Sequence, residues 1–303
     1  MIMDNTLRQR EKSIKKVLLD ILWINLFVAG LKMYLGYKFR YLSVASSALD
    51  SFFDSSSNIL GLITISYAYK GADEKHHYGR YKYENLGSLL IAGFLIFSSV
   101  QMGIATFNYL GDSQNRGLFS VIPILGIILS IVINYFVAVY EKKKGHELHS
   151  SLLLADAKHT KGDFVMGFGV LLSIFLSKFG LWMVDFGVGA IIILYVFYLA
   201  IKIVMDNLPE LLDSSPKIEK DLFLSVENIP DVKNIHKFRA RGNQNCMFVD
   251  FHLLLTNTLS LKEAHEIGHK AEDHIRDLLK GYARKVDVTV HIEPYEKHHK
   301  DPK

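Results

Sequence analysis

The chain has 303 residues, of which 50% are hydrophobic and 22% charged, with a net charge of +4 and a single cysteine. Its mean hydropathy is +0.17, where a soluble domain of this length rarely averages above zero and a disordered chain never does. Disordered, collagen-like and disulfide-stapled architectures are excluded, as are cysteine-based zinc fingers and redox pairs. So small a positive charge gives no footing for wholesale nucleic-acid binding.

The average conceals a division. Residues 1–213 hold 37 of the 66 charged residues, or 17% of that stretch, and residues 214–303 hold 29, or 32%. Eighteen of the 21 glycines lie in the first part and 8 of the 13 histidines in the second. The pattern reads as a membrane domain over 1–213 followed by a soluble, histidine-bearing domain over 214–303.

Hydrocarbon about 30 Å thick takes about 20 apolar residues in a helix. Six segments qualify in chain order: 17–37, 41–69, 86–110, 118–140, 150–177 and 181–205. The fifth has a condition. Residues 164–177 are too short alone, so the span requires that 150–163, with Asp156, His159 and Asp163, belong to the same helix. The basic residues alternate across the connections. Five lie in the N-terminal tail, four in the second loop and three in the fourth, against two, one and one in the others. The positive-inside bias then places both termini in the cytoplasm. No signal-peptide pattern opens the chain, because the first apolar run is too long and lacks a small-residue cleavage site.

The second part has another rhythm. Ser215-Pro216 opens a predicted helix over 216–227, with proline at its first position. Residues 232–241 and 246–255 alternate and flank a turn at Gly242-Asn243. Ser260 and Glu263 form a capping box that begins a helix over 260–280. Residues 285–293 alternate strictly and read as a strand. The order is αββαβ. The fold class is therefore an α-helical membrane protein: a six-transmembrane-helix bundle followed by a small cytoplasmic α+β domain of ferredoxin-like order.

A charge at the bilayer centre costs at least about 2.5–3.5 kcal/mol on insertion scales, so intramembrane charges point to function. The second span carries Asp50 and Asp54, the fifth His159 and Asp163. Each pair is spaced i, i+4 and projects from one helical face, about 6 Å apart along the axis. Two facing helices would offer four nitrogen and oxygen ligands, which suits a tetrahedral divalent ion. The competing reading is a buried polar network that only holds helices together, although helix glue is more often Ser, Thr or Asn. Asp156, one turn before His159, reads either as a residue supporting the site or as a charge solvating its mouth.

Asp50-x-x-x-Asp54 with His159-x-x-x-Asp163 resembles the cation diffusion facilitator family. So do SVASSALDSFFDSSSN (43–58), DEKHHYGRYKYE (73–84), ADAKHTKGD (155–163), LLD (211–213) and VDVTVHIEP (286–294), in the family's order along nearly the whole chain. The resemblance implies a homodimeric, proton-coupled exporter of cytosolic divalent metal, with zinc or another divalent ion as substrate and as structural or regulatory ligand. It implies a transport site at Asp50, Asp54, His159 and Asp163. A neutral imidazole and carboxylates bind metal and release it when protonated, which makes His159 the natural proton-exchange group. Zinc leads because three oxygens and one nitrogen suit it, with Fe(II) and Cd as competitors and manganese behind.

The resemblance also implies a loop metal site at Asp73 and His76, where Arg80 stands in place of a histidine and cannot ligate. It pairs Lys82 with Asp213 as a charge interlock between the domains. It implies a binuclear site at the dimer interface from His236, His252, His265, His291 and Glu293, with His269 one turn from His265. The partners expected are divalent metal ions, protons, membrane lipid and a second copy of the chain. The setting expected is a cell membrane, the bacterial inner membrane foremost. No enzyme is expected. A membrane-embedded metal hydrolase lacks a nucleophile and separate base here, and a membrane-anchored metal sensor would have no use for acids on two spans.

Overall fold

A computed structural model of the chain describes residues 5–38, 42–111, 121–178, 182–219 and 221–295. The side chains of residues 42–53, Asp50 among them, lie outside that description. The chain divides into two compact units, Met1–Leu208 and Pro209–Lys303.

Six long helices build the first unit: α1 (Asn5–Lys38), α2 (Leu42–Ala68), α3 (Tyr83–Gly111), α4 (Val121–Glu147), α5 (Ser151–Lys178) and α6 (Trp182–Leu211). The fifth is one continuous helix, so Asp156, His159 and Asp163 share it with the apolar run that follows. Its first turn is held by Ser150, whose Oγ accepts the Leu153 N–H at 3.3 Å. Within α3, α4 and α6, the stretches Tyr83–Ile104, Ile124–Glu147 and Gly187–Leu211 are each long and apolar enough to cross a membrane. The other expected spans fold as helices but do not reach that apolar density among the described residues. Helix α1 opens on a charged third and carries Asp20 and Lys32, while the first half of α5 carries Asp156, Lys158, His159, Lys161 and Asp163.

Helix α1 packs on α2, α4 on α5, and α3 contacts both α2 and α5. Ile14, Val17, Leu18 and Ile21 form a helical stripe that meets Ile65, Ile91, Leu95, Leu152, Leu153, Val196 and Ile203 in one core. The outward surface is apolar too: Trp23 is 69% exposed, Phe27 71% and Leu194 69%. Exposed apolar surface of this kind suits lipid as its solvent.

Gly87 lets α3 sit tightly between α2 and α5. A Cβ there would stand 2.5 Å from Thr64 Cγ2 and 2.8 Å from Leu152 Cδ1. Gly87→Ala is expected to cost about 1–3 kcal/mol by overpacking, read as a lower melting temperature in detergent. Gly93→Ala serves as the control, since nothing lies within 4 Å of a Cβ at that position. An unchanged melting temperature in Gly87→Ala would contradict the close packing. Gly103 and Gly187 are as open as Gly93, so a glycine in a spanning segment does not by itself mark a helix contact.

An ion pair is built into the heart of this unit. Arg10 on α1 and Glu84 at the start of α3 are 4% and 5% exposed. The guanidinium reaches Glu84 with both terminal nitrogens at 3.3 Å. Its Nε donates to the Leu148 carbonyl at 2.6 Å and Nη2 to the His149 carbonyl at 2.9 Å. Ser150 Oγ donates to Glu84 Oε1 at 2.5 Å. His149 adopts the left-handed backbone conformation, with φ of 50°. One buried charge pair thus ties α1 and α3 to the α4–α5 connection.

The second unit runs α7 (Asp221–Leu224), a 3-10 turn at Ser225–Asn228, β1 (Val232–Gly242), β2 (Cys246–Leu255), α8 (Leu261–Leu278) and β3 (Lys285–Pro294). The expected αββαβ order is present. The first helix is shorter than the Ser215-Pro216 signal suggested, because a start signal lowers the cost of a helix without repaying its nucleation. Strand β1 pairs antiparallel with β2, and β2 parallel with β3, in the order β1-β2-β3. Gly242 turns between β1 and β2 with φ of 107°, a conformation glycine takes without a side-chain clash. Ser260 and Glu263 close the capping box on α8 as read. Alternate strand residues Met247, Val249, Phe251, Leu253, Val288 and Ile292 turn to α8, whose Ile267, Ala271 and Ile275 cover them. The opposite sheet face carries His252, His291 and Glu293.

Candidate metal centres

The first centre lies inside the helical unit. One ligand atom each from Asp54, His159 and Asp163 lies within 4.8 Å of the others. His159 Nε2 stands 3.6 Å from Asp163 Oδ2, as their i, i+4 spacing on α5 requires. His159 is only 5% exposed, and its Nδ1 has no hydrogen-bond partner. Helices α2 and α5 thus bring together three of the four residues expected from the sequence. Asp50 lies on α2 one turn before Asp54, with its side chain outside the described residues.

A polar network backs this centre. Ser57 Oγ lies 2.8 Å from the Asp54 carbonyl and 3.2 Å from Asp156 Oδ1, so its one hydrogen is shared between α2 and α5. Asp156 is 1% exposed, a buried support rather than a solvated mouth charge. Glu141 on α4 is fully buried and accepts the Thr160 hydroxyl at 2.9 Å. Sequence reasoning missed Glu141. It sits one residue past the fourth apolar run and reads as the first residue of a loop. Its signal was the helix continuing to Glu147.

The second loop is an ion-pair staple. Asp73 Oδ1 accepts the N–H groups of Lys75 at 3.1 Å and His76 at 2.8 Å, with His76 Nδ1 at 3.2 Å. Its Oδ2 accepts from Arg80. Partial desolvation works to raise the Asp73 carboxyl, but the His76 and Arg80 hydrogen bonds outweigh it and hold the group at about 2. A depressed folded value means the staple is fully present above the unfolded range near 3.8 and is lost only as pH falls through about 2. The loop is therefore expected to hold its shape at every physiological pH. Arg80→Ala should raise amide hydrogen exchange at Lys75 and His76, and unchanged protection would contradict the staple.

The third centre is a row of histidines across the sheet. His236 pairs with His252 on β2, and His252 with His291 on β3, at one register. Ring centroids are 5.3 Å apart for His236 and His252, and 4.6 Å for His252 and His291. The register of β1 shifts between His236 and Arg239, with Lys237 at φ of 50°. Such a bulge re-aims a strand side chain. Glu293, two residues after His291, reaches all three: 2.7 Å to His252 Nδ1, 3.3 Å to His236 Nε2 and 3.5 Å to His291 Nε2. Burial tends to raise the Glu293 carboxyl, but the His252 hydrogen bond and the charges of His252, His236 and Lys237 hold it below the ordinary range. His236, His252 and Glu293 form a three-ligand group. His265 is not with them: it lies on the exposed side of α8, which covers the other sheet face. Asp213 stands 3.5 Å from Arg241 within its own unit.

A helical unit with buried acids and an imidazole, beside an α+β unit with its own histidine–carboxylate group, is the build of a membrane protein that handles metal cations. Residues 18–212 match the cation efflux transmembrane domain, and residues 215–295 the cytoplasmic domain of cation efflux proteins. The chain belongs to the cation efflux family, also called the cation diffusion facilitators. Its members are integral membrane transporters of metal cations, not enzymes. An uncharacterised transporter of Methanocaldococcus jannaschii is 27% identical over 272 residues, covering 88% of this chain and 95% of that protein. The cation-efflux pump FieF of Shewanella oneidensis is 28% identical over 260 residues, covering 83% of this chain and 84% of the pump. Among solved structures, the metal-bound C-terminal domain of the CzcD transporter from Thermotoga maritima is 32% identical, with a TM-score of 0.21, covering 24% of this chain and 84% of that domain.

Proposed function

We propose that the protein is a proton-coupled antiporter that exports divalent metal by alternating access, with zinc as the leading cargo and Fe(II) and Cd behind it. The observation that carries this reading is the Asp54–His159–Asp163 group, set between two helices of an apolar bundle with His159 buried and both carboxylates half-buried. Asp50, one helical turn from Asp54, would complete a set of three oxygens and one nitrogen suited to tetrahedral zinc. These ligands bind metal when deprotonated and give it up when protonated, so a proton entering from the far side would expel the ion.

All six helices would cross the membrane, with both termini on the cytoplasmic side. In the second loop Arg80 takes the place beside Asp73 that a metal would need, so Asp73 and His76 hold the loop without an ion. Lys82 and Asp213 would pair across the two units. The C-terminal unit would bind regulatory metal through His236, His252, His265, His291 and Glu293 at an interface that joins two copies of the chain. Adding zinc to the cytoplasmic side of proteoliposomes should produce zinc uptake together with opposite proton movement, read by a pH dye. Zinc uptake without proton movement would reject the coupling and leave the export reading standing.

A further inference from the structure

A lysine lies buried in the first helix, inside an apolar segment. Lys32 on α1 is 4% exposed and stands one turn beyond the buried Val28 and Ala29. It prolongs the stripe of α1 that packs on α2. An ammonium inside a span is costly unless an acid meets it. The acids of α2 are Asp50 and Asp54.

The register of the two helices brings Lys32 to their level. Helix α2 begins at Leu42, just after α1 ends at Lys38, and a Cβ at Gly61 would stand 3.3 Å from Leu18 Cδ1. The two helices therefore run antiparallel with Leu18 beside Gly61. Lys32 is 14 residues beyond Leu18, close to four turns, so it lies on the same face of α1 and level with Ser47 of α2. Asp50 and Asp54 lie 11 and 7 residues before Gly61, close to three turns and two, so both sit on the α2 face that Gly61 turns to α1. A helical side chain covers the turn N-terminal to its own Cα. For Lys32 that is the direction that runs along α2 from Ser47 toward Asp50.

We infer that Lys32 is the fixed counter-cation of the Asp50–Asp54–His159–Asp163 site, a charge-balancing residue that sets how firmly the site holds a divalent ion. The inference rests on the transport reading and adds a residue to it. Three carboxylates and a neutral imidazole carry three negative charges. A divalent ion alone leaves one of them uncompensated within an apolar span, and Lys32 brings the loaded site to neutrality. An ammonium has three donors and no lone pair, so it meets carboxylates without becoming a ligand. Its repulsion of the ion keeps binding reversible, which release on the far side requires.

The test is zinc binding to the full chain in detergent at mildly alkaline pH, where protons compete least, counting the zinc that Asp54→Ala abolishes. Lys32→Met keeps the stem and removes the charge. It should bind that zinc tighter by about 10-fold or more, because a nearby like charge is gone, and carry it more slowly in proteoliposomes. Lys32→Arg keeps the charge and should keep the wild-type affinity. Without zinc, Lys32→Met should melt below the wild type, and added zinc should raise its melting temperature by more than it raises that of the wild type. Joining Lys32→Met to Asp50→Asn removes one charge of each sign and should recover the melting temperature lost without zinc. That arm reads the pairing even where Lys32→Met alone folds poorly. Asp54-dependent zinc held no tighter in folded Lys32→Met overturns the counter-cation and leaves the transport site standing. A double variant no more stable than Lys32→Met overturns it equally. Absence of any Asp54-dependent zinc in the wild type overturns the transport site and the counter-cation with it.

Discussion

Asp54→Ala lowers metal flux in proteoliposomes by about 100-fold or more, while the protein still folds and inserts. The size follows from the position of the carboxylate. Residues that merely support a metal ligand cost about 10–100-fold when removed, and Asp54 would touch the ion itself. His159→Ala should match it, because the imidazole supplies the one nitrogen among oxygens and stands 3.6 Å from Asp163. His159→Asp should separate binding from selectivity: an all-oxygen site still carries divalent ions but shifts preference from zinc toward harder cations. Folding is checked by melting temperature and gel filtration. Wild-type flux in folded Asp54→Ala would remove the transport site from α2.

Arg10→Met destabilises the protein by about 3–5 kcal/mol, because it strands the Glu84 carboxylate in a buried setting. Arg10 is not a surface charge that merely obeys the positive-inside rule. It also donates to the Leu148 and His149 carbonyls, so its loss removes two further hydrogen bonds. Glu84→Leu alone should be as harmful, since it leaves the guanidinium uncompensated. The double change Arg10→Met and Glu84→Leu should recover most of the loss, because the cost lies in an unpaired charge rather than in the absence of a pair. Melting temperature of the detergent-solubilised chain measures all three. A double variant no better than the singles would contradict this account.

The contrast between Arg10 and Asp54 marks what a sequence discloses here. Asp54, His159 and Asp163 were legible because charges spaced i, i+4 within apolar runs have few other uses. The C-terminal unit was legible because strand alternation and a capping box are local signals, and β1, β2 and α8 lie close to where those signals put them. Arg10, Glu84 and Glu141 were not legible. Glu84 and Glu141 flank apolar runs and Arg10 lies in the basic N-terminal tail, all places where a charge ordinarily meets water. Only packing against α5 and the α4–α5 connection buries them. The sheet-face group was half legible. Alternation puts His291 and Glu293 on one face, but the common register of His236, His252 and His291, and the bulge beside His236, arise only when the strands pair.

The central claim, that this chain carries metal, is tested most directly by zinc flux through the purified full chain in liposomes loaded with a zinc-sensitive dye. The account predicts saturable zinc entry, faster with an opposing proton gradient and lost in Asp54→Ala. A folded, inserted chain that carries neither zinc nor Fe(II) nor Cd in either orientation would contradict it.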